Sequence, residues 1–142
     1  MGLNQTLYAE VIVKHYSDVD KILDVINLSP MKIEGYTSLT VRVPIFSWRK
    51  AYQIDSWFGA NIFDDFSSSN TAWVQYDSLQ ELVVLCLDVL ANRDDAPELM
   101  PTETGLYDDQ YFQQVSDTAL GLSAILTNEE LKDFEFFYEA SY

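Results

Sequence analysis

The chain has 142 residues, of which 48% are hydrophobic and 14% aromatic, and its formal net charge is −15. A chain of this length can form one domain that buries about two thirds of its unfolded surface, and the apolar content excludes an acidic disordered tail. The charge argues against direct binding to nucleic acid or to an anionic membrane surface, because both repel an acidic protein.

The charge is divided unevenly along the chain. Residues 1–50 carry six Lys/Arg and five Asp/Glu, whereas residues 51–142 carry two Lys/Arg and 18 Asp/Glu, for net charges of +1 and −16. The single cysteine, Cys86, excludes an internal disulfide, and the N-terminal residues lack the pattern of a secretory signal. We therefore expect an intracellular protein that attracts cationic partners.

The first sixty residues predict two strands and two helices. β-Branched residues dominate 8–14, and residues 39–43 alternate between apolar and polar, so both segments are predicted strands. A short amphipathic helix is predicted over 17–29, between the two strands. Ser47 is the predicted N-cap of a second helix that ends at about Ala60.

The middle of the chain predicts a loop, a short strand and the most apolar helix. The run DDFSSSN at 64–70 is typical of a loop, and residues 73–76 favour a strand. Asp77 and Gln80 form a capping box, which predicts a helix over 78–91. Because this helix is apolar on most sides, we expect it at the centre of the fold.

The last third of the chain predicts a long helix and a final strand. Asp108 or Asp109 opens the helix, and Gly121 inside it marks a close contact with another helix. Apolar residues recur at every second position over 134–140, which predicts a C-terminal aromatic strand. The whole chain (1–142) is therefore predicted to be a single compact α+β domain, with three to four helices on a small, mostly antiparallel sheet.

No set of catalytic residues can be assembled from the sequence. His15 is the only histidine and has no cysteine pair to complete a zinc site, and Cys86 lies on an apolar helix face. The chain has no phosphate-binding loop, serine elbow or dinucleotide fingerprint. Adjacent acids point to different sides and make poor chelates. We predict no enzyme activity, no cofactor and no metal site.

A cluster of aromatic residues near the centre of the chain has two interpretations. Trp48, Tyr52, Trp57 and Phe58 stand close together in sequence, next to two basic residues. They could stack on nucleic acid bases, or they could belong to the core with an amphipathic rim. The acidity of the rest of the chain favours the core.

A series of short motifs stands out over residues 43–142. They are Trp48-Arg49-Lys50-Ala51 with Ile54 and Trp57-Phe58, Pro101-Thr102 with Thr104-Gly105, Tyr107-Asp108 with Tyr111-Phe112, Asp117-Thr118, and a tail through Tyr138, Ser141 and Tyr142. On these motifs the chain resembles small acidic proteins of unknown function that are encoded in bacteriophage genomes. The chain departs from them in lacking a Phe/Gly-rich insertion after Gly105, and in having Ala140 for a serine and Tyr142 for a tryptophan. The resemblance implies no catalytic residues; it implies a phage accessory protein in the cytoplasm of the bacterial host.

The charge and the resemblance together predict a function in protein binding. An acidic surface can act as a DNA mimic and block the basic site of a host nucleic-acid-binding protein, such as a defence nuclease. Such an anti-defence inhibitor would use acids in loops and at helix starts. These are Asp64, Asp65, Asp94, Asp95, Glu98, Glu103, Asp108 and Asp109.

Two alternatives stay open. The first is a structural or assembly protein that forms homo-oligomers through its C-terminal strand. Phe134, Phe136 and Phe137 would give that strand an apolar edge. The second is a small metal-dependent enzyme that uses carboxylates as ligands or as general acid and base.

Overall fold

A computed structural model of the chain describes residues 2–13, 39–63 and 70–142. The strands in this part are β1 (Asn4–Val13), β2 (Leu39–Arg49), β3 (Thr71–Val74) and β4 (Glu135–Ser141). The α-helices are α1 (Tyr52–Asn61), α2 (Tyr76–Ala91), α3 (Ala96–Leu99) and α4 (Asp109–Leu126), and 3₁₀ turns occur at Arg93–Asp95 and Glu129–Leu131. The predicted α+β fold is confirmed. The helix predicted over 17–29, His15 and Asp64–Ser69 lie outside the described residues.

The four strands form one antiparallel sheet in the order β2-β1-β4-β3. The predicted C-terminal strand is confirmed, but its assignment as a sheet edge is wrong, because β4 lies between β1 and β3. Asn4 pairs with Ser141 on one side of β4, and Thr71 pairs with Glu139 on the other. Periodicity identifies a strand but carries no information about its neighbours, so the interior position of β4 was not predictable.

One face of the sheet forms the core with the helices. Leu7 on β1 and Tyr138 on β4 are fully buried there, and the ring of Phe58 on α1 stacks on Tyr138 with 3.8 Å between ring centroids. Helices α2 and α4 pack against each other through buried residues that include Leu82 and Val115. Helix α2 buries one face, while Val84 and Leu87 on its other side are exposed, so it is not enclosed on most sides as its composition predicted.

Two helix starts differ from their predictions. Ser47 and Trp48 belong to β2, which pairs with β1 as far as Arg49, so α1 begins only at Tyr52. The continued pairing to β1 outweighs the local capping preference of Ser47. Helix α2 begins at Tyr76, before the predicted capping box, and its N-cap forms no side-chain hydrogen bond.

The aromatic residues near the centre of the chain belong to the core, as the acidity suggested. Trp48 is buried, and its indole Nε1–H donates to Thr118 Oγ1 on α4 at 2.8 Å. The Phe46 ring lies edge-on to Trp48 with 4.6 Å between centroids. Gly121 on α4 faces this ring: an added Cβ would stand 2.6 Å from Phe46 Cδ2. The close contact predicted at Gly121 is thus made with a strand rather than with another helix.

Candidate functional site

Six of the eight predicted binding acids lie in the segment that joins α2 to α4. We call residues 93–109 the acidic connection. Its acids are Asp94, Asp95, Glu98, Glu103, Asp108 and Asp109, and all six are exposed. Its one basic residue is Arg93. Asp64 and Asp65, the other two predicted acids, lie outside the described residues.

The acidic connection is packed against the start of α4. The Arg93 guanidinium lies over the Phe112 ring, 4.7 Å from its centroid. The Tyr111 hydroxyl donates to the carbonyl oxygen of Met100 at 2.7 Å, and both residues are buried. Because Phe112 and Tyr111 lie in the first turn of α4, these contacts bring the two ends of the acidic connection to the same end of the molecule. The acids at the two ends of the connection, Asp94 with Asp95 and Asp108 with Asp109, therefore lie near the start of α4.

One of these acids also has a structural role. Asp108 is the N-cap of α4, and its Oδ1 accepts a hydrogen bond from the backbone N–H of Tyr111 at 3.0 Å. A carboxylate at this position satisfies a free helix donor and interacts favourably with the helix dipole. The prediction that Asp108 or Asp109 opens this helix is confirmed. For a test of binding, Asp108 is best left unchanged.

A second polar cluster joins the C-terminal residues to α1. The carboxylate of Asp55 accepts from the Tyr138 hydroxyl at 2.7 Å and from the Tyr142 hydroxyl, and Gln5 Nε2 donates to the Tyr138 oxygen at 3.2 Å. Desolvation, and then the hydrogen bond to Asp55, raises the pKa of Tyr142 to about 12. The same two causes raise the pKa of Tyr138. Both hydroxyls stay protonated at neutral pH, so the cluster fastens β4 to α1.

The sheet face opposite the core carries an ion pair. Arg42 Nε donates to Glu10 Oε2 at 2.6 Å, and the guanidinium lies 4.1 Å from the centroid of the Phe137 ring. Glu10 is only 5% exposed, although it lies on this outer face. Glu10 is also directly opposite Glu135 on β4. Arg42 therefore compensates a buried carboxylate that has an acidic neighbour across the strands.

A groove of about 630 Å³ lies where β3, the start of β4 and the end of α4 meet. We call this cavity the groove. Its lining includes Val74, Ile125 and Phe136, which are buried, and the half-exposed aromatic residues Trp73 and Tyr76. These residues come from three distant parts of the chain, so no sequence pattern pointed to the groove. The only feature of the local sequence that relates to the groove is the presence of apolar residues at paired positions of β3 and β4.

The thiol and the carboxylates of the described residues offer no nucleophile or metal set. Cys86 is buried in α2, and desolvation raises its pKa to about 12, as expected for an unreactive core thiol. In the described ranges, no three or more His, Cys, Asp or Glu side chains are grouped so as to hold a metal ion. None of the described helices combines the length and apolar character needed to cross a lipid bilayer.

Comparisons of the chain with protein-family models, with curated proteins and with solved structures gave no match. The candidate sites therefore rest on the chemistry of the residues themselves. They are the acidic connection, with its exposed carboxylates, and the groove, with its exposed aromatic side chains.

Proposed function

We propose that the protein acts by binding a basic protein, and that the acidic connection occupies a surface which otherwise binds nucleic acid. The observation that carries this proposal is the placement of six exposed carboxylates on one short segment whose single cation, Arg93, lies on Phe112. The net charge of −16 over residues 51–142 adds a long-range field of the same sign.

The packing of the acidic connection supports a binding role. Its backbone is held by the Tyr111–Met100 hydrogen bond, and the buried side chain of Ala96 anchors α3, the short helix within the connection. A segment that is ordered before binding loses little conformational entropy when a partner engages it. The carboxylates can therefore pair with lysines and arginines that are positioned for phosphates, whose charge spacing along DNA is about 1.7 Å.

The partner we propose is a host nucleic-acid-binding protein, such as a defence nuclease, in the bacterial cytoplasm. The resemblance to phage-encoded acidic proteins supports this choice of host and partner. A strongly acidic inhibitor would also reach such a basic site quickly, because electrostatic attraction raises the association rate. The proposed activity is thus inhibition by occupation of the nucleic acid site.

The test is capture of partners from bacterial lysate by the tagged protein, read by mass spectrometry, with and without added duplex DNA. We expect a nucleic-acid-binding protein that DNA displaces. A test variant neutralises four acids of the acidic connection, and a control variant neutralises four exposed acids on α2 and α4. The test substitutions are Asp94→Asn, Asp95→Asn, Glu98→Gln and Glu103→Gln; the control substitutions are Asp77→Asn, Glu81→Gln, Asp88→Asn and Asp117→Asn.

Both variants lose four negative charges. A difference in partner binding between them therefore reports contact with the acidic connection itself, and not attraction by the overall charge of the protein. The proposal requires that the test variant releases the partner while the control variant retains it. Equal loss in the two variants would mean that overall charge alone attracts the partner. Retention in both variants, or a captured protein that DNA does not displace, contradicts the proposal.

A further inference from the structure

We propose that the groove is a second binding site, which takes a large apolar side chain from a basic peptide segment of a protein partner. Its volume of about 630 Å³ is sufficient for one or two such side chains. This inference uses residues other than those of the acidic connection, and it does not depend on the function proposed above.

The apolar character of the groove argues for an apolar anchor. Tyr76 at its mouth is 43% exposed, whereas the ring of Trp73 packs against Phe137 on the opposite face of the sheet. Leu131 and Phe134 line it as well and are half-buried. Exposed aromatic side chains beside a buried apolar floor are typical of the centre of a protein interface, where they exclude water around an anchor residue.

The charge around the groove selects the partner. Residues 128–135 form its rim and contain four acids but only one base, Lys132. Glu129 and Glu135 line the groove itself, and both are exposed. Lysine or arginine residues on either side of an apolar anchor would pair with these carboxylates. A second copy of this chain is a poor occupant, because it would bring another net charge of −15 to the same surface.

The walls of the groove are fixed by hydrogen bonds. The Tyr76 hydroxyl donates to the carbonyl oxygen of Leu126 at 2.8 Å, which joins the start of α2 to the end of α4. In the rim, Asn128 Oδ1 accepts from the backbone N–H of Glu130 at 3.0 Å. Because these hydrogen bonds already hold the groove open, little conformational entropy of its walls is lost when a ligand binds.

The experiment uses short fluorescein-labelled peptides and measures binding by anisotropy. One peptide is basic with central leucines, the second has serines in place of the leucines, and the third has glutamates in place of the basic residues. We expect only the first peptide to bind. Phe134→Ala, which removes a half-buried ring of the lining, should weaken that binding about tenfold or more, as for an interface anchor. Leu120→Ala, which changes a 70% exposed apolar residue outside the groove, should have no effect.

A second pair of variants tests the charges. Glu129→Gln with Glu135→Gln should weaken the basic leucine peptide, whereas Asp94→Asn with Asp95→Asn in the acidic connection should not. Failure of the basic leucine peptide to bind would overturn the inference, as would equal binding of the serine peptide. Equal weakening by the two double variants would also overturn it. Dimerisation that Phe134→Ala abolishes would instead assign the groove to a second copy of the chain.

Because the peptide assay reads only the groove, it can fail while lysate capture through the acidic connection succeeds. The reverse result is equally distinguishable. Far-UV circular dichroism on each variant tests whether the fold is retained, so that loss of binding by Phe134→Ala can be distinguished from unfolding.

Discussion

Gly121→Ala is expected to destabilise the protein, although glycine-to-alanine changes inside helices usually stabilise. Gly121 lies within α4, and a Cβ at this position would stand within 3.0 Å of three ring atoms of Phe46. The ring has little room to withdraw, because it packs edge-on against buried Trp48 at 4.6 Å. The substitution therefore forces the strand and the helix apart or moves the ring.

The change in the free energy of unfolding caused by Gly121→Ala is the sum of two opposing effects. Alanine gains about 1 kcal/mol of helix propensity over glycine in a helix interior. Overpacking a close contact costs about 1–3 kcal/mol, which equals or exceeds that gain. Gly59→Ala in α1 is the matched control, since a Cβ there meets no atom within 4 Å. We expect Gly59→Ala to stabilise by about 0.5–1 kcal/mol, and Gly121→Ala to destabilise by up to about 2 kcal/mol.

The assay is urea denaturation of both variants, followed by the same measurement in a Phe46→Ala background. Removing the ring should remove the clash, so Gly121→Ala should become stabilising in that background and resemble Gly59→Ala. The cycle isolates the contact between the two side chains. If Gly121→Ala stabilised the protein with Phe46 intact, α4 and β2 would not be close enough for a Cβ at position 121 to clash with the Phe46 ring.

Three further predictions concern ionisable groups. Arg42→Met should cost about 2–3 kcal/mol in urea denaturation because it leaves the buried Glu10 carboxylate without its partner, and adding Glu10→Gln should recover part of the loss. Stability should begin to fall above about pH 9 and continue to fall toward pH 12, because the pKa values of Cys86 and Tyr142 are raised from 9.0 and 10.0 to about 12 and the unfolded chain loses both protons first. Asp55→Asn should reduce the part of this dependence above pH 10, measured by denaturation at each pH. Cys86 should react with a thiol reagent only under unfolding conditions, and rapid reaction in the native state would contradict its burial.

The predictable part of the fold depends on local signals. The cap at Asp108 was recognisable because a short carboxylate before an apolar run satisfies a helix donor within the same turn. The strand Glu135–Ser141 was recognisable because its apolar residues alternate, and its burial alternates in the same way. The exposed acids of the connection were predicted correctly as surface residues for the same local reason, since they stand among prolines and helix starts.

The unpredicted part depends on pairing between distant residues. The local sequence predicts Trp48 to be a helix residue. In the structure it is a strand residue of the core, because β1 pairs with β2 as far as Arg49. Asp55 gives no sign in the sequence that it accepts hydrogen bonds from two tyrosines, because Tyr138 and Tyr142 are more than eighty residues away. Side-chain clusters of this kind follow from strand order, which periodicity does not determine.

The salt dependence of binding distinguishes the two proposed contacts, because the acidic connection binds through charge and the groove binds mainly through an apolar side chain. Pairing through the exposed carboxylates of the acidic connection weakens as ionic strength rises, since the screening length falls from about 10 Å at 0.1 M to about 3 Å at 1 M. An apolar anchor in the groove does not weaken in this way, and sulfate salts strengthen it. A partner that uses both sites should therefore lose affinity in sodium chloride only down to a residual level. Phe134→Ala should remove that residual, whereas neutralising Asp94 and Asp95 should reduce the salt dependence and leave the residual in place.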